Sequence, residues 1–526
     1  MKKNSIRILV CVLAVLMVLP FIASCTGNGG NGGNGGDGTT TAKNEQTNAP
    51  SGSVTDDPDV PKDVDKNGYK LDGLDKYGLN YNDDEVSVLN WKAEHTEFLV
   101  EQGNTGDKVS DAIFDRNSAV ESRLGVTLKF EETAGNNSNI SKFVQKVEAA
   151  KTTGDYDIIA TYSRTAASCS TKGLLKDLNS IETSYIDYEM PWYPKSLIDT
   201  MTIGNALYFI SGDMSTNTIY MMYTIYVNKT LMGQYDSVKD QNLYDLVRNN
   251  EWTIDKLAWF CDNVGTGTGG KYDATNLEEG VFAFSGVDYG LDAFYVGSNL
   301  STLVPDDAEM IVLSKDFTSQ KAATLCEKVA AIVANPNCFA FAKETNAHKY
   351  YYAFQQGRVL FHQDRARFAE RYLIPENFAD EYGVLPTPLY DTAQGKKVGY
   401  ITTMANPFTL YGIAVNCKED SQMSAVIECW ASEGYRKTTP ALFEATFKGR
   451  YVATKDDREM WDIIRKGVKF DLGRIYHREI LGGYPTELFS DAIMANDKWS
   501  ILGRNNAELL KANIKKLVAT YKKFQG

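Results

Sequence analysis

From Glu85 onward two hydrophobic periods take turns along the chain. "EVSVLNW" (85–91) alternates apolar and polar positions as a half-buried strand does. "KVSDAIFDRNSAVESRLG" (108–125) spaces its apolar residues three and four apart, as a helix does, and Gly125 marks its stop. "VTLKFEE" (126–132) returns to strand, "NISKFVQKVEAAKTTG" (139–154) to helix and "YDIIATY" (156–162) to strand. This alternation predicts an α/β fold with right-handed crossovers and a largely parallel sheet. In open sheets of this kind the ligand lies beyond the carboxyl ends of the strands. The rule singles out Trp91, Lys92 and His95, then Glu132 and Thr133, then Thr161, Tyr162, Ser163 and Arg164.

The start of the chain follows another pattern. Lys2, Lys3 and Arg7 precede an apolar run from Ile8 to Ile22, interrupted by Pro20, which is shaped like an export leader and short for a membrane span. The run ends Ile22-Ala23-Ser24-Cys25, which resembles the bacterial lipobox; the resemblance implies a leader over 1–24 and a lipid on Cys25 that holds the chain at a membrane surface. The glycine-rich, asparagine-rich and threonine-rich stretch after it lacks the apolar residues that would offset ordering entropy, so residues 25–83 are expected to be a disordered tether. About 40 such residues reach roughly 35 Å.

Composition narrows the function classes. The body from Asp84 is about 440 residues, too long for one compact core and suited to two domains or one two-lobed domain. The 43% hydrophobic and 23% charged residues of the whole chain are those of an ordinary globular protein. Removing three basic residues with a leader that holds no acids takes the formal charge from -13 to -16, which argues against nucleic acid and anionic membranes as partners. Six cysteines remain in the body, at 169, 261, 326, 338, 417 and 429, in apolar contexts without CxxC. Buried thiols are favoured, and spacing alone does not decide a Cys326–Cys338 disulfide.

Several chemistries lack their residues. The four histidines, His95, His348, His362 and His477, show no metal-ligand spacing on a helix face, and no GxSxG occurs. "GTGTGGKY" (265–272) matches the GxxxxGK of a phosphate-binding loop but has Tyr272 where Ser or Thr should hold magnesium, and a helical pattern precedes it where a strand should. "DVDKNGYKLDGL" (63–74) opens like a calcium loop with Asp63, Asp65, Asn67 and Gly68, yet ends on Leu74 where a bidentate Glu is required. No cofactor and no metal are expected.

Six segments, in order, resemble family 1 extracellular solute-binding proteins, the sugar-binding receptors of ABC importers. They are "YDIIATYSRTAASCSTKGLLKDLNSI" (156–181), "NALYFISGDMSTNTIYMMYTIYVNKTL" (205–231), "NNEWTIDKLAWF" (249–260), "YYAFQQGRVLFHQD" (351–364), "YGVLPTPLYD" (382–391) and "NPFTLYGIAVNCKEDSQMSAVIECWASEG" (406–434). The resemblance implies two α/β lobes, each a mostly parallel sheet flanked by helices, in the type II periplasmic-binding-protein arrangement, closing on a ligand by hinge motion. The lobes are placed at 84–214 with 400–450, and at 219–398 with 451–526.

Sugar rings offer an apolar face and a rim of hydroxyls, so their sites need aromatic platforms bordered by polar groups. The chain has 30 Tyr, 23 Phe and 7 Trp. Where the resemblance places cleft walls, the candidate platforms are Trp91, Tyr162, Trp192 and Tyr193 of "PWY", and Phe294 and Tyr295 of "AFYVGSN"; Asp213, Asp364 and Arg365 are the candidate hydroxyl partners. The implied function is that of a monomeric, lipid-anchored receptor for carbohydrate on the outer face of the cell membrane, which delivers its ligand to an ABC permease and catalyses nothing. A peptide or other polar solute is the alternative ligand, and a lipid-anchored glycoside hydrolase is the alternative class.

Overall fold

The computed structural model describes residues 63–525, apart from 94, 268–279, 342–346, 453, 478–479 and 483–485. The leader, Cys25 and the tether up to residue 62 lie outside the described residues, as do Lys271 and Tyr272 of the glycine-rich loop.

The first strands and helices are β1 (Asp84–Trp91), α1 (Lys108–Leu124), β2 (Val126–Thr133), α2 (Ile140–Ala150), β3 (Ile158–Tyr162) and α3 (Ser163–Thr171). α1 shows why the boundaries fall where they do. The Asp107 carboxylate accepts from the Ser110 N–H at 2.8 Å and caps the start. Gly125 ends the helix at φ 59°, and a side chain there would also meet the Asn80 amide oxygen at 2.3 Å. Thr253 plays the same capping part for α4 (Ile254–Asn263), accepting from the Lys256 N–H at 3.1 Å.

Later elements used below are β4 (Tyr223–Asn228), β5 (Phe282–Val287), α5 (Gln320–Ala334), β6 (Cys338–Phe341), β7 (Val359–Arg365), β8 (Tyr382–Leu385), β9 (Thr402–Thr403), β10 (Thr409–Ile413), α6 (Asp420–Arg436), α7 (Lys455–Lys466), β11 (Val468–Lys469) and α8 (Trp499–Gln525). They form two main sheets, ordered β10-β3-β1-β2 and β8-β4-β7-β5-β6. The expectation of largely parallel sheets needs correcting to mixed ones. β2, β1 and β3 are parallel, but β10 runs antiparallel to β3; β7, β5 and β6 are parallel, but β4 runs antiparallel both to β7 and to β8, its neighbours on either side. The parallel trios arise from strand-helix-strand units, whereas β4 and β10 enter their sheets directly from the other lobe, so the crossing sets their direction.

The crossings lie side by side. Met222 of the outgoing segment bridges Met404 of the return, and the Ala405 N–H donates to the Met221 carbonyl at 2.9 Å. The end of β7 joins them, with the Ala366 N–H on the Met222 carbonyl at 2.8 Å and the Arg367 N–H on the Tyr220 carbonyl at 3.1 Å. β9 and β11 form a separate parallel pair beside these segments.

Residues 63–83, expected to belong to the tether, are instead folded against the first sheet's helices. Asp72 is buried and accepts from Arg123 at 2.8 Å, and Arg123 also reaches Asp75 and Glu433 at 2.9 Å. Arg436 on α6 adds contacts to Asp72 at 3.4 Å and Glu433 at 2.6 Å. Burial alone would raise the Asp72 carboxyl, but its bonds to Arg123 outweigh that and hold it well below the usual carboxylate range. The calcium-like stretch is a turn: Asp63 pairs with Lys70 at 2.5 Å, and one Asp65 oxygen accepts from the N–H groups of Asn67 and Tyr69. Among the described residues there is no group of three or more His, Cys, Asp or Glu placed to hold a metal ion, no helix long and apolar enough to cross a membrane, and no disulfide among the six cysteines.

Candidate functional site

The carboxyl ends of the first-sheet strands and the crossing segments meet the second lobe along one polar seam. Its first-lobe part is a chain of hydrogen bonds. The Trp91 indole donates to the Thr409 hydroxyl at 2.8 Å, Thr409 donates to Glu97, and Glu97 accepts from the Ser215 hydroxyl at 2.6 Å and the Asn217 N–H at 3.2 Å. Glu97 is fully buried. Arg116 of α1 closes the network with bonds to the carbonyls of Glu97 at 2.6 Å and Met214 at 2.8 Å; burial pulls this guanidinium down to about 10. β1, β10 and the first crossing are thereby tied at one point.

Across the seam, Arg164 at the start of α3 bonds Asn137 at 3.1 Å and the Arg474 carbonyl at 3.4 Å. Arg474 in turn is hydrogen-bonded to Asp292 and to the Met404 carbonyl, the latter at 3.2 Å. Further along, Arg365 pairs with Asp364 at 3.1 Å and lies over the Tyr289 ring, 5.5 Å from its centroid. Arginine, carboxylate and tyrosine thus alternate along the interlobe surface.

Not all polar groups here are spent within the protein. The Asn90 and Thr161 side-chain oxygens, both amide atoms of Asn217 and both of Gln363 are buried and make no hydrogen bond to protein. Asn90 and Thr161 sit at the ends of β1 and β3, Asn217 on the first crossing, and Gln363 near the end of β7. Buried polar groups in native proteins are nearly always partnered, so these groups keep hydrogen-bonding capacity that the protein does not use.

A cavity of about 1090 Å³ opens beside this seam. His95 and Thr96 line it after β1, Asp107 and Lys108 at the start of α1, Tyr220 on the crossing, Glu370 and Ile374 from the second lobe, and Arg450 and Tyr451 on the last crossing. The His95 and Tyr220 rings are stacked, 3.7 Å apart and 8° from parallel, and His95 Nε2 lies 3.4 Å from Glu370. The wall is thereby joined through the His95 and Tyr220 pair, and Tyr220 packs further on Phe447 at 5.7 Å.

The structure divides the residues singled out in the sequence. Trp91 and Tyr162 lie at the seam, but their rings pack against each other at 5.4 Å and both are buried. Asp364 and Arg365 lie there too, bound to one another. Trp192 and Tyr193 are away from it: Trp192 packs on Tyr435 at 5.9 Å and the Tyr193 hydroxyl donates to Glu428 at 2.8 Å, so their faces are used against α6. Phe294 packs against Phe284 at 6.3 Å, and Tyr295 against Phe489 at 5.1 Å, inside the second lobe. Asp213 is buried at the first crossing, bonded to Thr439 at 2.9 Å and to Arg465 of α7 at 3.1 Å, and burial raises its carboxyl. It ties the first crossing to α7 and is not among the residues lining the cavity beside the seam.

The pattern reading passed over Glu97, Tyr220, Tyr289, Asp292, Gln363 and Arg474. The carboxyl-end rule, extended to "FAFSGVDYGLD" (282–292), points to Tyr289 and Asp292. Nothing local marks Glu97 or Arg474, whose side-chain partners Ser215 and Asp292 lie more than 100 residues away.

No family model matches the sequence, and no curated protein is similar to it. Solved structures are. The fold is similar to that of an ABC substrate-binding protein of Listeria monocytogenes in complex with cycloalternan, at 13% identity over 83% of this chain and 99% of that one, with a TM-score of 0.50. The galacto-N-biose-/lacto-N-biose I-binding protein of an ABC transporter of Bifidobacterium longum, in complex with lacto-N-biose, aligns at 11% identity over 83% and 98% of the two chains, TM-score 0.54. A cyclo/maltodextrin-binding protein complexed with maltotetraose aligns at 12% over 82% and 97%, TM-score 0.53. The chain has the two-lobed, periplasmic-binding-protein-like fold of these receptors.

Proposed function

We propose that this protein is an extracytoplasmic receptor that captures a carbohydrate between its two lobes and hands it to an ABC permease, with Cys25 carrying a lipid that keeps it at the membrane. The observation that carries the reading is the set of buried, protein-unpartnered hydroxyl and amide groups at the strand ends, next to a cavity whose wall includes the stacked His95 and Tyr220. Hydroxyls and amides that can both donate and accept suit a polyhydroxylated ligand, and an aromatic pair suits its C–H face. The solved structures of similar fold hold cycloalternan, lacto-N-biose and maltotetraose, all oligosaccharides, and the cavity volume accommodates a ligand of that size.

A peptide is the competing ligand, favoured by the charged groups Asp107, Lys108, Glu370 and Arg450 around the same cavity. Hydrolysis is less well served. Asp107 is engaged as the cap of α1 and Glu370 lies against His95 and Tyr220, so neither is a carboxylate standing free to attack.

Thermal unfolding of the protein against a panel of mono- and oligosaccharides and a peptide mixture, with product analysis in parallel, tests the proposal. A ligand at about 100 times its dissociation constant adds about 2.7 kcal/mol and shifts the transition upward. A shift with one glycan class and no product supports the receptor. A shift with peptides alone overturns the carbohydrate reading, and turnover overturns the receptor reading.

A further inference from the structure

A second cavity, of about 420 Å³, lies in the second lobe away from the seam, between the start of α5 and the segment 390–398 that leads into the return crossing. Its walls carry Asn299, Lys321, Thr324, Tyr390, Asp391 and Lys397. What matters is which of their hydrogen-bonding capacities the protein already uses.

The neutral acceptors of Asn299, Thr324 and Gln394 are consumed, and the second Asp391 oxygen is left. The Asn299 carbonyl oxygen accepts from Lys469 Nζ at 3.1 Å, which leaves its amide N–H groups. The Thr324 oxygen accepts from the Gln320 amide at 3.3 Å, which leaves its O–H. The Gln394 oxygen accepts from the Tyr390 N–H at 3.2 Å while its amide donates to the Gly297 carbonyl at 2.8 Å. One Asp391 oxygen caps the helix that begins at Thr392, accepting from the Gln394 N–H at 2.8 Å.

The donors remain. Lys321 is partly buried and has no carboxylate partner in an ion pair; one of its three N–H groups goes to the Ser298 carbonyl at 2.6 Å. It lies 4.9 Å from the Tyr390 ring centroid; Lys328, 5.2 Å from the same ring, is already paired with Asp255 at 2.6 Å. Burial lowers the Lys321 ammonium, and the neighbouring charges of Lys469 and Lys397 lower it further, against the pull of Asp391 and Asp316. On a chain of formal charge -13 this is a local excess of cations and N–H or O–H donors around a concavity.

We infer that this cavity binds a small oxyanion, a phosphate, sulfate or carboxylate group, through Lys321, Lys397, the Thr324 hydroxyl and the Asn299 amide. A compact, multiply accepting anion is the ligand that such unspent donors recognise. The site does not rest on the carbohydrate reading, because no residue lining it lines the interlobe cavity.

Calorimetric titration of the protein with inorganic phosphate, sulfate and glucuronate, each against chloride at matched ionic strength, tests it. Binding of at least one of these is expected, and the three arms separate an inorganic anion from a carboxylate borne on a sugar. Lys321→Met and, as the more exposed change, Lys397→Gln should each weaken that binding by about tenfold or more, the weight of a charge-assisted hydrogen bond. The thermal shift given by the carbohydrate ligand should be unchanged in both. No heat with any oxyanion at 10 times the physiological range, or equal affinity in the Lys397→Gln protein, overturns the site. Loss of the carbohydrate response in wild type alone would instead overturn the receptor reading and leave the anion result standing.

Discussion

His95 and Tyr220 stack face to face, 3.7 Å between centroids, one ring from the loop after β1 and the other from the segment that crosses to the second lobe. The pair forms a wall of the interlobe cavity and fixes the crossing against the first lobe at the same time. Tyr220→Ala should therefore weaken carbohydrate binding by about tenfold or more while leaving the fold intact. Calorimetric titration and circular dichroism check the two halves; unchanged affinity would remove the pair from the site.

Asp292→Asn leaves the buried Arg474 without its carboxylate on the seam. Stability should fall by about 3–5 kcal/mol, since breaking one partner of a buried pair strands the other charge. Urea unfolding measures it. A loss below about 1 kcal/mol would mean the pair is solvated in solution.

Glu428 gives a pH dependence with a definite sign. Burial among α6 and the Tyr193 region raises its carboxyl from 4.5 to about 8, despite the Tyr193 bond. The folded state thus holds a proton that the unfolded chain has already released, so stability should decline as pH rises from about 4.5 to 8, by on the order of 4 kcal/mol over the window. His477 acts at the other side: burial lowers it from 6.5 to about 4, so its neutral form supports the fold and stability is lost as pH falls through that interval. Unfolding free energies from pH 4 to 9 for wild type and Glu428→Gln separate the two, because the variant should lose only the decline toward high pH.

Arg123→Ala should release residues 63–83. It removes the main partner of the buried Asp72 carboxylate and costs about 3–5 kcal/mol for that segment's attachment. Limited proteolysis with mass mapping should then show early cleavage within 63–83, and a cleavage pattern like wild type would show that Arg436 alone suffices.

Periodicity rendered the first lobe with fair accuracy, because its elements are local: α1 ends at the Gly125 stop, β2 begins directly after it, and the third run of β, "YDIIATY", is β3, the strand that lies between β1 and β10. What periodicity could not render was the direction of β4 and β10, set by crossings that lie far apart in sequence. The aromatic platforms illustrate the same limit. Trp91 meets Thr409 across 318 positions, and Trp192 meets Tyr435 across the fold; each is apolar and flat in the sequence, and only the partner decides whether its face is core or cleft. The strand-end rule named His95, which lines the cavity, and Arg164, which bonds the Arg474 carbonyl, from position alone, along with Lys92, Glu132 and Thr133, which do not line that cavity.

The Asp72 and Arg123 clasp has a mechanical consequence. Residues 63–77 are riveted to α1 and α6, both of which belong to one lobe, so any pull on the chain from upstream is borne by that lobe and stops there.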